Sequence, residues 1–130
     1  MSSLSELLAF LVTTLEESSL CHSARVLETH PFSVHQFALK VRTDLFSGDS
    51  LQIRLYHNEG HYDYSYQLLR ASQPLLRWDN KEHFPDISTF PHHFHAPTGE
   101  VQPSHLSGDP FVDLPIVLEF LASNAAAASK

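Results

Sequence analysis

The chain has 130 residues, 42% hydrophobic and 18% charged, with eight Pro and only four Gly. That composition suits a single domain over 1–130 with one buried core, and it excludes a disordered, fibrous or low-complexity chain. Fifteen Asp and Glu against eight Lys and Arg give a formal charge of −7, so overall basicity gives no prior for nucleic acid or anionic membranes. Histidine is the outlier: there are ten, and protonating all of them would carry −7 to +3. The single cysteine, Cys21, excludes an internal disulfide framework and a cysteine-based zinc module, and it fits a reducing, cytoplasmic setting. No stretch reaches the roughly 20 apolar residues of a membrane span. No basic n-region opens the chain, so no signal peptide is expected.

The first element is a helix within 1–19. Leu4, Leu7, Leu8, Leu11, Val12 and Leu15 share one face of a 3.6-residue period, and Ser3 with Glu6 has capping-box spacing. The opposite face carries nothing basic, so the stripe is expected to pack on a core rather than on a membrane. From residue 24 to 79 the period becomes two. Phe37, Leu39 and Val41 alternate with polar neighbours, as do Leu51, Ile53 and Leu55, then Tyr62, Tyr64, Tyr66 and Leu68. This predicts an antiparallel meander with one wet face. Ser47-Gly48-Asp49 and Asn58-Glu59-Gly60 are the hairpin connections. Gln73-Pro74 breaks the chain before a strand over 75–79, and residues 25–30 add a further strand that His30-Pro31 ends.

Residues 80–110 keep neither period. They hold five of the eight prolines and five of the ten histidines. A long His/Pro-rich loop is expected here, packed on the body through Phe84, Phe90 and Phe94. A last helix spans 113–123, with Asp113 as N-cap, Pro115 in the first turn and Leu114, Val117, Leu118 and Leu121 on its apolar face. A fraying tail covers 124–130. The fold class is therefore α+β: an antiparallel sheet of four to five strands packed by the N- and C-terminal helices.

Lys40, Arg42 and Arg54 fall on the wet face, and Arg77 joins them if Leu76 and Trp78 point inward. Such a patch suits phosphates on an otherwise negative protein. It equally suits plain solvation and ion pairing, since Asp63 and Asp79 share the face. Asp79-Asn80, at a strand end, is as well suited to an Asx turn as to chemistry. In Phe90-Pro91-His92-His93-Phe94-His95, an extended chain turns His93 and His95 one way and His92 the other. The pair suits acid/base catalysis, metal ligation with His83 or Asp79, phosphate contact as imidazolium, or structural hydrogen bonding. Cys21 beside His22 reads as a structural cysteine, because adjacent residues seldom form a nucleophile–base pair.

Taken together, Tyr62-Asp63-Tyr64-Ser65-Tyr66, Leu76-Arg77-Trp78-Asp79-Asn80, His83 and Thr89-Phe90-Pro91-His92-His93-Phe94-His95 resemble the TumE-like family of small prokaryotic proteins. The resemblance covers roughly residues 50–121. It implies the toxin half of a two-gene toxin–antitoxin module, with a small antitoxin protein as partner. It carries over at Tyr64, Arg77, Asp79, Asn80, His83, Pro91, His92, His93 and His95. Trp78 stands where a smaller aromatic is usual, and Phe94 where a lysine is frequent. The leading reading is a cytoplasmic toxin acting on RNA by metal-independent acid/base chemistry. His93, His95, His83, Arg77 and Asp79 would form its catalytic set. Lys40, Arg42, Arg54, Tyr64, Asn80 and His92 would bind substrate. No cofactor is needed on that reading; a divalent metal on His93, His95 and His83 is its variant. The alternative is a non-enzymatic partner-docking module with a structural or metal-binding histidine loop. Neither reading involves a membrane, and the oligomeric state is open.

Overall fold

The computed structural model describes residues 2–128. Helix α1 (Leu4–Glu17) begins where Ser3 accepts the Glu6 N–H at 3.1 Å, so the predicted cap is formed. Seven strands follow as a continuous antiparallel meander: β1 (Cys21–Ser33), β2 (Gln36–Leu45), β3 (Ser50–Asn58), β4 (His61–Arg70), β5 (Gln73–Asp79), β6 (His93–His95) and β7 (Val101–Pro103). Helix α2 (Pro110–Ala128) closes the chain.

Alternation fixes which face is buried. Phe37, Leu39, Val41, Leu51, Ile53, Leu55, Tyr66 and Leu68 point to one side, where they meet Leu7, Leu11 and Leu15 of α1 and Leu114, Val117 and Leu121 of α2. Phe10 and Phe111 join the two helices, with ring centroids 4.7 Å apart. Both helices thus cover one face of the sheet and leave the other open.

The sheet has seven strands rather than four or five. The surplus comes from the segment expected to be an irregular loop. Strands β6 and β7 have three residues each, too few to show alternation; pairing with β5 holds β6, and pairing with β6 holds β7. On the helix side, Trp78 and Phe94 lie 4.9 Å apart and both meet Phe120, at 5.1 and 5.5 Å. Position 94 therefore faces the core. A lysine there would not share the side of His93 and His95.

Three boundaries also move. Strand β1 starts at Cys21 and runs through Pro31, which pairs with Phe37. An edge strand tolerates proline because one of its sides carries no ladder bonds. Helix α2 starts at Pro110 rather than 113, because the Asp109 carboxylate accepts the Phe111 N–H at 3.0 Å and Pro110 takes the first helical position. Asp113 is not the cap. Fully buried, it reaches back to accept Ser107 N–H and Gly108 N–H at 2.9 and 2.8 Å, tying down the preceding loop. The helix continues to Ala128, so the expected tail is helical through that residue. Residues 129–130 lie outside the described residues.

Candidate active site

Strand pairing sets out the open face in rows. One row reads Glu28, Lys40, Arg54, Ser65, Asp79, His93 across six neighbouring strands. The next reads Arg42, Gln52, Gln67, Arg77, His95. Neighbouring strands are about 4.8 Å apart, so Arg54 stands about 10 Å from Asp79 along its row. A groove of about 600 Å³ runs over this face, lined by Lys40, Arg54, Gln67, Arg77, Asp79 and Lys81 among others.

At the β5–β6 end the side chains converge. Asp79 and His93 are each only 2% exposed, while His95 is a quarter exposed. His93 Nε2 lies 2.9 Å from Asp79 Oδ1, and His95 Nε2 lies 3.4 Å from Asp79 Oδ2. The two Nε2 atoms are 3.1 Å apart. Arg77 donates from Nε to Asp79 Oδ2 at 2.8 Å, and its Nη2 is 3.2 Å from His95 Nε2. The Lys81 N–H donates to Asp79 Oδ1 at 3.0 Å. His93 Nδ1 lies 3.0 Å from the Pro91 carbonyl, which can only accept, so that nitrogen carries the proton. Burial, then the Arg77 charge, lower the His95 pKa below the usual histidine value, and Asp79 opposes them. The Phe84 ring packs against His93 and His95 at 4.8 and 5.7 Å and shields one side of the cluster.

The other candidates divide. Arg54 is exposed on the groove and makes no ion pair among the described residues. Lys40 lies 3.4 Å from Glu28, and Arg42 donates to Gln52. His83 is exposed and outside the cluster; Phe84 occupies the place beside the imidazoles. Tyr64 is buried on the helix side, and its hydroxyl meets His92 Nδ1 at 2.8 Å. Burial, with Asp113 next, raises the Tyr64 pKa, and burial lowers that of His92. The pair therefore sits apart from the Asp79 cluster. Asn80 spends its amide on β4: Oδ1 accepts the Tyr64 N–H at 3.0 Å and Nδ2 donates to the Tyr62 carbonyl at 2.9 Å. It continues the sheet pairing one residue past the end of β5.

Two contributors were not among the candidates. Phe84 had only been expected to pack on the body. Thr89 donates to the His92 carbonyl at 2.6 Å and accepts the Ser104 N–H at 2.9 Å, so it pins the loop that delivers His93. A threonine two residues before a proline carries no signal for that role.

An α+β domain with helices on one sheet face and, on the other, a cluster of buried Asp79 and His93 with partly exposed His95 and Arg77 is the class that these features define. A family model described as Toxin TumE matches residues 11–124, and the chain belongs to that family. No curated protein and no solved structure matches the chain. No helix among the described residues is long and apolar enough to cross a membrane.

Proposed function

We propose that this protein is the toxin of a two-gene toxin–antitoxin module, with a small antitoxin as its partner, and that it acts on RNA phosphodiesters in the cytoplasm. The row that aligns Lys40 and Arg54 with Asp79 and His93 carries this reading. It places cations along a groove that ends at a buried, multiply bonded polar centre, as phosphate-backbone positioning beside a reactive site requires. Arg54 holds a backbone phosphate, and the partly exposed His95 and Arg77 face the scissile one.

The two imidazoles work from one side. With Nε2 atoms 3.1 Å apart, they leave no space for a phosphorus between them. A division into base and acid on opposite faces of the phosphate therefore does not fit this geometry. His83, exposed beyond Phe84, is left out of the reactive set. Growth after induced expression tests the proposal. Wild type should arrest growth, co-expression of a small reading frame adjoining its gene, where there is one, should restore it, and His95→Ala at equal protein level should not arrest it. Arrest by His95→Ala as strong as by wild type would leave the docking-module reading in its place.

A further inference from the structure

We infer that Asp79, His93 and His95 form a binding site for one divalent transition ion that prefers nitrogen and oxygen donors, of which zinc is the type. The proton on His93 Nδ1 is committed to the Pro91 carbonyl, so Nε2 is the nitrogen left to bind a second proton or a metal. That nitrogen faces a carboxylate oxygen at 2.9 Å and a second imidazole nitrogen at 3.1 Å. Three such atoms at these separations need a proton or a metal cation between them, and a metal would serve all three at once.

The spacing suits such an ion. Donors about 2.0–2.2 Å from a metal lie about 2.8–3.1 Å apart on adjacent octahedral corners and about 3.3–3.6 Å apart on a tetrahedron. The observed separations are 3.1 Å between the two Nε2 atoms, 2.9 Å from His93 Nε2 to Asp79 Oδ1, and 3.4 Å from His95 Nε2 to the other carboxylate oxygen, Oδ2. Two imidazoles and one carboxylate are a borderline donor set, matched to zinc, iron, nickel or manganese rather than to magnesium.

The surroundings orient the donors as they would around a metal. A ligating imidazole ordinarily gives its other N–H to a carbonyl or carboxylate, and His93 gives its own to Pro91. The carboxylate is held by the Lys81 N–H and by Arg77 Nε. Phe84 closes one side, and the exposed edge of His95 leaves the other open to a water or a phosphate oxygen. Arg77 Nη2, 3.2 Å from His95 Nε2, would give up that contact and keep its bond to Asp79. The three donors come from two paired strands: Asp79 lies opposite His93, and His95 lies one pleat further along the same face.

The inference concerns the centre used in the proposed function but does not need RNA as its substrate. Metal binding without RNA cleavage would leave it standing, and cleavage without metal binding would remove it alone. The full, tag-free chain, stripped with chelator, is titrated with Zn²⁺ and separately with Mg²⁺. One Zn²⁺ per chain is expected, at least about 100-fold tighter than Mg²⁺. His95→Ala, at a partly exposed position, should weaken Zn²⁺ at least about 100-fold with the fold intact, and Asp79→Asn should do likewise. His83→Ala and His105→Ala should change nothing. Co²⁺ in the same site should give a visible absorption band that His95→Ala abolishes. The inference fails if no stoichiometric Zn²⁺ binds, if His95→Ala retains wild-type affinity, or if His83→Ala weakens binding equally. The first result would mean that a proton on His93 and the Arg77 guanidinium neutralise Asp79, and the other two that zinc binds at different ligands.

Discussion

Replacing Asn80 with alanine separates its sheet role from a substrate role. Asn80 is 6% exposed, and its amide makes two bonds to backbone groups of β4, at 3.0 and 2.9 Å. Truncation leaves the Tyr64 N–H and the Tyr62 carbonyl without these partners. A lost net hydrogen bond costs about 1 kcal/mol, and a buried unsatisfied group about 1–3 kcal/mol. With some relaxation and water access, the pair should cost about 2–4 kcal/mol. At about 2.1 cal/mol/K per residue, a chain of this length loses about 4 °C of melting temperature per kcal/mol, so a fall of about 7–15 °C is expected. Thermal unfolding followed by circular dichroism measures the fall, and growth arrest below the transition measures function per folded molecule. Asn80→Asp keeps the acceptor but turns a carboxylate oxygen onto the Tyr62 carbonyl beside buried Asp79, so its fall should be at least as large. A shift under about 3 °C for Asn80→Ala would refute the reasoning. So would loss of toxicity at an unchanged melting temperature, because Asn80 would then serve the substrate.

Other outcomes follow from the same geometry. Ala71 and Ser72 form the β4–β5 turn at φ 51° and 64°, a left-handed conformation that non-glycine residues adopt at a cost. Ala71→Asn with Ser72→Gly should stabilise by about 1 kcal/mol, read as a higher urea midpoint at constant slope. Leu11 is fully buried, so Leu11→Ala should cost about 2–5 kcal/mol in urea unfolding; a near-neutral result would mean that the α1 stripe serves a partner instead. His57 is 1% exposed and stacks on Phe37 and Tyr62, and burial lowers its pKa below 6.5. The unfolded chain then takes up this proton first as pH falls. Stability is full above 6.5 and is lost from 6.5 down to the depressed folded pKa. His57→Phe should flatten this dependence by up to about 1.4 kcal/mol per pH unit, and identical slopes for variant and wild type in urea titrations would contradict it.

Local features made much of this fold legible. The α1 stripe, the inward set on β2 to β4 and the turns at Gly48 and Gly60 all rest on neighbouring residues, and all are where the alternation placed them. The parity of His92, His93 and His95 held for the same reason: strand geometry turns His93 and His95 to one side. What pairing at a distance decides was not legible. Nothing local announces that Asp79 stands opposite His93, since the intervening loop adds no period and β6 is only three residues long. The placing of His83 failed on that account, as Phe84 reached the imidazoles in its stead. Asn80 lies beside Asp79 in the motif, yet its amide turns to β4. Asp109-Pro110 was a readable helix start, but Asp113 offered the same cap signal closer to the apolar run.

Cleavage of a labelled single-stranded RNA by the purified, tag-free protein tests the central claim most directly, with wild type compared with His95→Ala and Arg54→Ala in buffer supplied with Zn²⁺ or Mg²⁺. Wild type should cleave, His95→Ala at a rate at least about 100-fold lower, and Arg54→Ala should bind more weakly and with a shallower salt dependence. Equal rates for wild type and His95→Ala, or no cleavage by a wild-type preparation that arrests growth, would contradict the claim.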